Sequence, residues 1–178
     1  ITISSEQIFY LKNEELAYTV GKSKAISGKE IEINSNEFFR YNKLSSILTA
    51  KGGVKIFDKI NDTIVESEEI IYFKNEDKFT TKDKTKINIE NKYFIDTRDL
   101  ILLRKNMLLS SKYKTTITDT QDNFYKLNDF SYLINEKILK GSNVEVVTNY
   151  LKDTSDKYFF DTGFFNFKNQ KFAAKDIK

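Results

Sequence analysis

Two pairs of carboxylates come nearest to chemistry in this sequence: Asp96 with Asp99, and Glu68 with Glu69. Paired carboxylates can divide general acid and base work between them. On a strand, however, Glu68 and Glu69 point to opposite faces and cannot converge, and surface charge accounts for all four residues. The stretch Asp119-Thr120-Gln121-Asp122-Asn123 has the acidic spacing of a calcium loop but lacks that loop's glycine and distal glutamate, so turn chemistry explains it better. Gly52-Gly53 has no strand-loop-helix context and is not a phosphate loop. The chain has no His and no Cys. That removes Ser-His and Cys-His nucleophiles and most transition-metal sites. The expectation is a protein that is not an enzyme, with no cofactor and no metal.

The residues that do recur are structural. Ser5–Ile26, Asn36–Ile56 and Ser67–Ile87 repeat one phrase: an amphipathic strand, a polar turn and a returning strand. Tyr10, Tyr41 and Tyr72 are spaced by 31 residues, Gly21, Gly52 and Asp83 each follow their Tyr by 11, and Ser5, Asn36 and Ser67 each precede it by 5. One period that fixes three kinds of residue marks a repeat protein. A fainter fourth copy places Leu103 and Lys114 at the next step, and looser copies follow around 130–141 and 165–175. Strands recurring every 8 to 14 residues between turn signals predict an all-β sandwich, barrel or solenoid of roughly a dozen strands. The alternation breaks step between Ile33 and Phe39, which predicts a bulge near 34–37. No convincing helix is present. The nearest candidate, 128–139, contains the turn Asn135-Glu136-Lys137 and reads as a hairpin instead.

Composition agrees. The 178 residues suit one domain, and 15 Phe and 10 Tyr suit pleated, half-buried surfaces. The absence of Pro beside abundant Lys, Asn and Ile also matches an AT-rich genome. A net charge of +3 from 29 basic and 26 acidic residues is too even for a dedicated nucleic-acid binder. An RNA-binding sheet is further disfavoured because Glu and Asn, not Lys and Arg, alternate with the Tyr column. No apolar run is long enough for a membrane-spanning helix. Ile1-Thr2-Ile3-Ser4 reads as a strand rather than a signal peptide, so an exported protein is expected here as a mature form or a domain of a longer chain.

One such repeat cannot bury its apolar face alone, whereas stacked repeats can. The expected inward column is Ile8 and Tyr10, Phe39 and Tyr41, Ile70 and Tyr72, Ile101 and Leu103, then Phe130 and Tyr132. For any one of these residues, core packing suffices as an explanation. Two slightly open sheets lined in this way would also enclose an elongated apolar trough suited to a lipid tail. The terminal repeats look like ordinary ones, and an uncapped edge can accept a strand from a partner. Lys22, Lys24, Lys51 and Lys55, near the kinks, are placed either to meet lipid phosphates or simply to be solvated.

The phrases S-E-E-I-I-Y at Ser67–Tyr72 and L-T-A-K-G-G-V-K-I at Leu48–Ile56 resemble the OstA-like repeats of the lipopolysaccharide transport family. The closing stretch Phe167–Lys178 resembles the junction that precedes an outer-membrane barrel in members of that family. The resemblance covers essentially the whole chain, 1–178. It implies a single periplasmic β-jellyroll, a twisted two-sheet stack of 31-residue two-strand repeats, attached to the outer membrane. It implies lipopolysaccharide as ligand, with acyl chains against Ile31, Ile33, Phe39, Tyr41, Ile70, Tyr72, Ile101 and Leu103. It further implies a jellyroll of the LptA kind as an edge-to-edge partner and, for a member bearing a barrel, that barrel and LptE. Many members carry Cys that tie the domain to the barrel. This chain has none, which puts such a linkage in doubt but not the fold.

Overall fold

The computed structural model describes residues 1–169 and 171–177; Gln170 and Lys178, both within the junction-like stretch, lie outside the described residues. The fold is all-β and jellyroll-like. Its strands are β1 (Thr2–Leu11), β2 (Leu16–Ser27), β3 (Ile31–Ser35), β4 (Phe38–Asn42), β5 (Ile47–Asp58), β6 (Thr63–Phe73), β7 (Lys78–Ile89), β8 (Tyr93–Arg98), β9 (Ile101–Leu103), β10 (Leu108–Ser111), β11 (Thr115–Asp119), β12 (Phe124–Leu133), β13 (Ile138–Thr148), β14 (Asp156–Asn166) and β15 (Lys171–Ile177). Three runs are broken at a bend, as β3/β4, β8/β9 and β10/β11. Among the described residues the chain therefore makes twelve long runs, each antiparallel to its neighbours in sequence. Residues 128–139 form the β12–β13 hairpin. No helix among the described residues is long and apolar enough to cross a membrane, which says nothing of spans made by strands.

Most runs bend near their middle, and the bend explains the three-residue signature. Register shifts interrupt the ladders at Ser5/Gln7, Lys51/Val54 and Ser67/Glu69. A left-handed residue sits at each shift: Gly21 at φ 82° faces Ser5/Gln7, Gly52 at 86° lies within Lys51/Val54, and Asp83 at 62° faces Ser67/Glu69. A bulge leaves carbonyls without ladder partners, and the bend serines meet them. Ser5 Oγ donates between Val20 O and Lys22 O at 3.2 Å each, and Ser67 Oγ between Lys82 O at 3.0 Å and Lys84 O at 3.1 Å. In the second repeat Ser35 takes this role toward Lys51 O, while the Asn36 N–H donates to Gly52 O at 2.9 Å. Thr19 with Ser23 and Thr81 with Thr85, each pair 2.6 Å apart, extend the hydroxyl row along the bend. No buried side-chain polar atom among the described residues lacks a partner.

The left-handed residue at the bend is costly for anything but Gly, Asn or Asp. A Cβ at Gly52 would in addition land on the Glu37 side chain, whereas one at Gly28, φ 65°, meets open space. Gly52→Ala is expected to cost about 2 kcal/mol in urea unfolding, and Gly28→Ala about 1 kcal/mol, the backbone strain alone.

Bending divides each run between two sheets that fold onto one another. One carries the row Ala25, Ile33, Ile56, Val65, Ile87, Ile95 and Ile117, in register across neighbouring strands. The other carries Tyr41, Leu48, Tyr72, Phe79, Leu102, Leu109, Tyr132, Leu139 and Phe165. We call them the Ile33 sheet and the Leu48 sheet. Their inner faces make one core cluster.

Candidate functional site

The space between the sheets is the ligand site anticipated from sequence, and the structure places its eight residues unequally. Ile31, Ile33, Phe39, Ile70 and Tyr72 are buried in it. Tyr41 is half-buried, on the inner row near the β1 edge. Ile101 and Leu103 are corrections. Ile101 is 40% exposed and Leu103 is half-buried, while Leu100 and Leu102 take the inner positions at 1% and 2%. The cause is a shortened repeat. The left-handed residues at the hairpin tips, Glu15, Ser46, Asp77, Met107 and Lys137, are separated by 31, 31, 30 and 30 residues. Losing one residue turns every side chain of a strand to its other face. Lys114 likewise sits in the gap between β10 and β11 rather than at a left-handed bend.

A set of contacts joins hairpin tips of the two sheets. Arg104, in the turn after β9, is 12% exposed and holds three carboxylates. Its Nη2 lies 3.0 Å from Glu30, its Nε 3.2 Å from Asp58, and its Nη1 3.0 Å from Asp77. Tyr72 donates to Asp77 at 3.3 Å, and its hydroxyl lies 3.5 Å from that of Ser27 on the opposite sheet. Farther along, Lys137 pairs with Glu90 at 3.1 Å. Beyond it Tyr93 stacks on Phe167, with ring centroids 5.1 Å apart, and Tyr125 meets Phe167 edge-on at 5.6 Å. This clasp closes the mouth between the sheets through the middle of the molecule. Sequence reasoning missed it because the carboxylates on Arg104 lie 27 to 74 residues from it. The available signal was the rarity of Arg, of which this Lys-rich chain has three.

The clasp also reveals an offset. The Arg104 tip meets turns from much earlier in the chain, and the Lys137 tip meets Glu90 from three runs before. The first runs of the Leu48 sheet consequently have no facing sheet, nor have the last runs of the Ile33 sheet. Ile8 and Tyr10 lie on the inner rows of β1 but are about half exposed, as is Tyr158 on the inner row of β14. Between these uncovered ends the interior is filled: Phe39, Phe79, Phe130, Leu48 and Leu109 are completely buried. Near the β15 end a pocket of about 320 Å³ opens between the sheets, lined by Tyr93, Tyr125, Phe165, Phe167 and Phe172, with Asp119 and Lys171 at its rim.

Burial holds the phenols of this interior in their neutral form. Tyr72, Tyr93, Tyr125 and Tyr132 all titrate above the ordinary range because an apolar site disfavours a phenolate, and Asp119 adds repulsion at Tyr125. A raised folded-state value stabilises the fold fully below the unfolded tyrosine pKa of about 10, and that stability is lost as pH climbs above it. Urea midpoints are expected to fall more steeply between pH 9.5 and 11.5 in the parent chain than in a Tyr125→Phe/Tyr132→Phe variant.

The lysines singled out near the kinks lie outside the interior. Lys24, Lys51 and Lys55 pair with Glu32, Glu69 and Glu66 at 2.8, 3.2 and 2.8 Å, and Lys22 is exposed. Lys24 and Asn34 hold the Glu32 carboxyl down at about 2, with help from Lys59. Asp119 is a turn residue: its Oδ1 accepts the N–H groups of Gln121 at 2.9 Å and Asn123 at 3.0 Å. Among the described residues no group of three or more His, Cys, Asp or Glu side chains is placed to hold a metal ion.

No protein-family model matches the chain, and no curated protein matches it.

Proposed function

We propose that the chain is a lipid conduit: the periplasmic N-terminal β-jellyroll of an LptD-like protein in lipopolysaccharide transport, held at the outer membrane. The observation that carries this reading is the pair of uncovered ends. An apolar interior bare on one sheet at one end and on the opposite sheet at the other is suited to continue into a second jellyroll. A run of the same fold added beside β15 or β1 would extend both sheets and cover the exposed inner faces. Twelve is an even number of runs, so a β15 of one unit meets a β1 of the next antiparallel, the pairing used throughout the sheet. β1 carries neither Lys nor Pro, the residues that ordinarily blunt an edge.

On this reading an LptA-like jellyroll is the edge partner, acyl chains of lipopolysaccharide lie between the sheets, and LptE and a C-terminal barrel belong to the same assembly. A soluble LptA-like bridge protein would use the interior in the same way and differ in lacking a barrel; the full-length gene separates the two. The filled centre favours a second reading, a structural β-solenoid or adhesin segment whose core stays dry.

The test is a photo-crosslinking amino acid placed at Tyr41, at Phe172 and, as an outward control, at Lys74, followed by illumination with lipopolysaccharide. The conduit reading expects adducts at Tyr41 and Phe172 and not at Lys74. Equal labelling at all three, or none at the inner positions, favours the closed structural segment.

A further inference from the structure

The outer face of the Ile33 sheet carries a groove of about 760 Å³ that crosses β5, β6, β7, β8 and β11 next to the bend. Five adjacent strands spaced ~4.8 Å apart give it a length of roughly 20 Å. Five cations line it: Lys55, Lys84, Lys86, Arg98 and Lys114. Two of them are already engaged, Lys55 with Glu66 at 2.8 Å and Arg98 with Asp83 at 2.9 Å. Lys84, Lys86 and Lys114 are exposed and make no ion pair among the described residues. The carboxylates lining the groove are Glu66 and Asp96, so it holds three cations in excess, equal to the net charge of the whole chain. Smaller hollows prolong it at both ends, through Asn36 toward Lys22 and Lys24, and through Lys114 toward Lys126.

We infer that this groove binds an extended acidic glycan, a saccharide chain bearing phosphate or carboxylate groups. The free lysines supply the charge attraction. Glu66 and Asp96 are acceptors that would repel a bare polyphosphate but take hydrogen bonds from sugar hydroxyls, while Asn36 and Thr116 can donate to or accept from them. No aromatic side chain lines the groove. Single-stranded nucleic acid is therefore a poor fit, because its sequence-tolerant binding relies on base stacking. The site lies outside the interior and stands whether or not lipid passes between the sheets.

The experiment is calorimetric titration of the full chain with four probes: hexameric oligogalacturonate, deacylated lipopolysaccharide oligosaccharide, neutral maltohexaose, and a hexameric single-stranded DNA. The deacylated oligosaccharide has no tails to place in the interior, so its binding reports the groove alone. Adding intact lipopolysaccharide then shows whether the sugar is better recognised free or lipid-borne. The expected result is saturable binding of both acidic saccharides, weaker at higher salt, and none of maltohexaose. Lys84→Glu/Lys86→Glu/Lys114→Glu should weaken binding at least about tenfold, while Lys12→Glu/Lys74→Glu/Lys168→Glu, with the same net charge, should change it less than about twofold. All six lysines are exposed, and because Lys86 faces Glu66 and Asp96 across the ladder, a Lys84→Gln/Lys86→Gln/Lys114→Gln variant, which sets no like charges opposite one another, should show the same loss of binding. Equal loss in both variants, tighter binding of the DNA, or no saturable binding of either acidic saccharide would overturn the inference.

Discussion

Replacing Arg104 with Met is expected to lower unfolding free energy by about 3–5 kcal/mol, because it strands a buried carboxylate. The Asp58 side chain is 2% exposed and Arg104 is the cation beside it. Water cannot take over the solvation that the guanidinium supplies. The Ile60 and Asn61 N–H groups, each 3.2 Å from Asp58 Oδ1, remain but carry no full charge. Glu30 and Asp77 would then face Asp58 without a counter-ion, which adds repulsion. Arg104→Lys should recover only part of the loss, since one ammonium on a flexible stem cannot replace a planar fork that reaches three carboxylates. A second change, Asp58→Asn, should restore part of the stability lost in Arg104→Met, because it removes the unpaired charge. Arg98→Met is the contrast. Its partner Asp83 is largely exposed, the side chains being 51% and 66% accessible, and the loss should stay within about 1 kcal/mol. Urea denaturation of the four variants checks the series.

The second large effect is expected at Phe79. Its ring is completely buried and stacks on Tyr72, with centroids 4.2 Å apart and planes 8° from parallel. The pair sits at the centre of the Leu48 sheet, beneath the Arg104 clasp. Phe79→Ala should cost about 3–5 kcal/mol, combining lost transfer energy with a cavity that a cross-linked sheet cannot collapse. Phe94→Ala, at a 43% exposed outward position, should cost less than about 1 kcal/mol. Unfolding of both variants also tests the strand register: a one-residue slip in β7 or β8 would exchange which substitution is severe.

The repeats were legible in the sequence because each of the three recurring residues answers a backbone requirement that local pattern can express. A bend needs a left-handed residue and a hydroxyl to meet freed carbonyls, and the inner face needs an apolar side chain every second position. Thr19 and Thr81, with Ser23 and Thr85, carry the same information at a spacing of 62 residues. The fourth repeat was misread because extrapolating a period of 31 hides a one-residue deletion, and period-2 structure punishes such an error fully at Ile101 and Leu103. The closure of the two sheets was not legible at all. Glu30, Asp58 and Asp77 look like solvated turn charges in sequence, and only the fold brings them to one guanidinium. The uncovered ends follow from that offset closure, so Ile8 and Tyr10 could be assigned to the inner face but not to its exposed margin.

On the proposed function the interior is a passage and not merely a filling. Its middle is packed with side chains, so acyl chains can pass only if the sheets part at the clasp. The absence of Cys allows a direct measurement: Lys29→Cys and Lys105→Cys place one spin label on each side of the mouth, next to Glu30 and Arg104. The distance between labels, measured by double electron–electron resonance, is expected to lengthen by several ångström when lipopolysaccharide is added at saturating concentration. A distance distribution unchanged by bound lipopolysaccharide would contradict it.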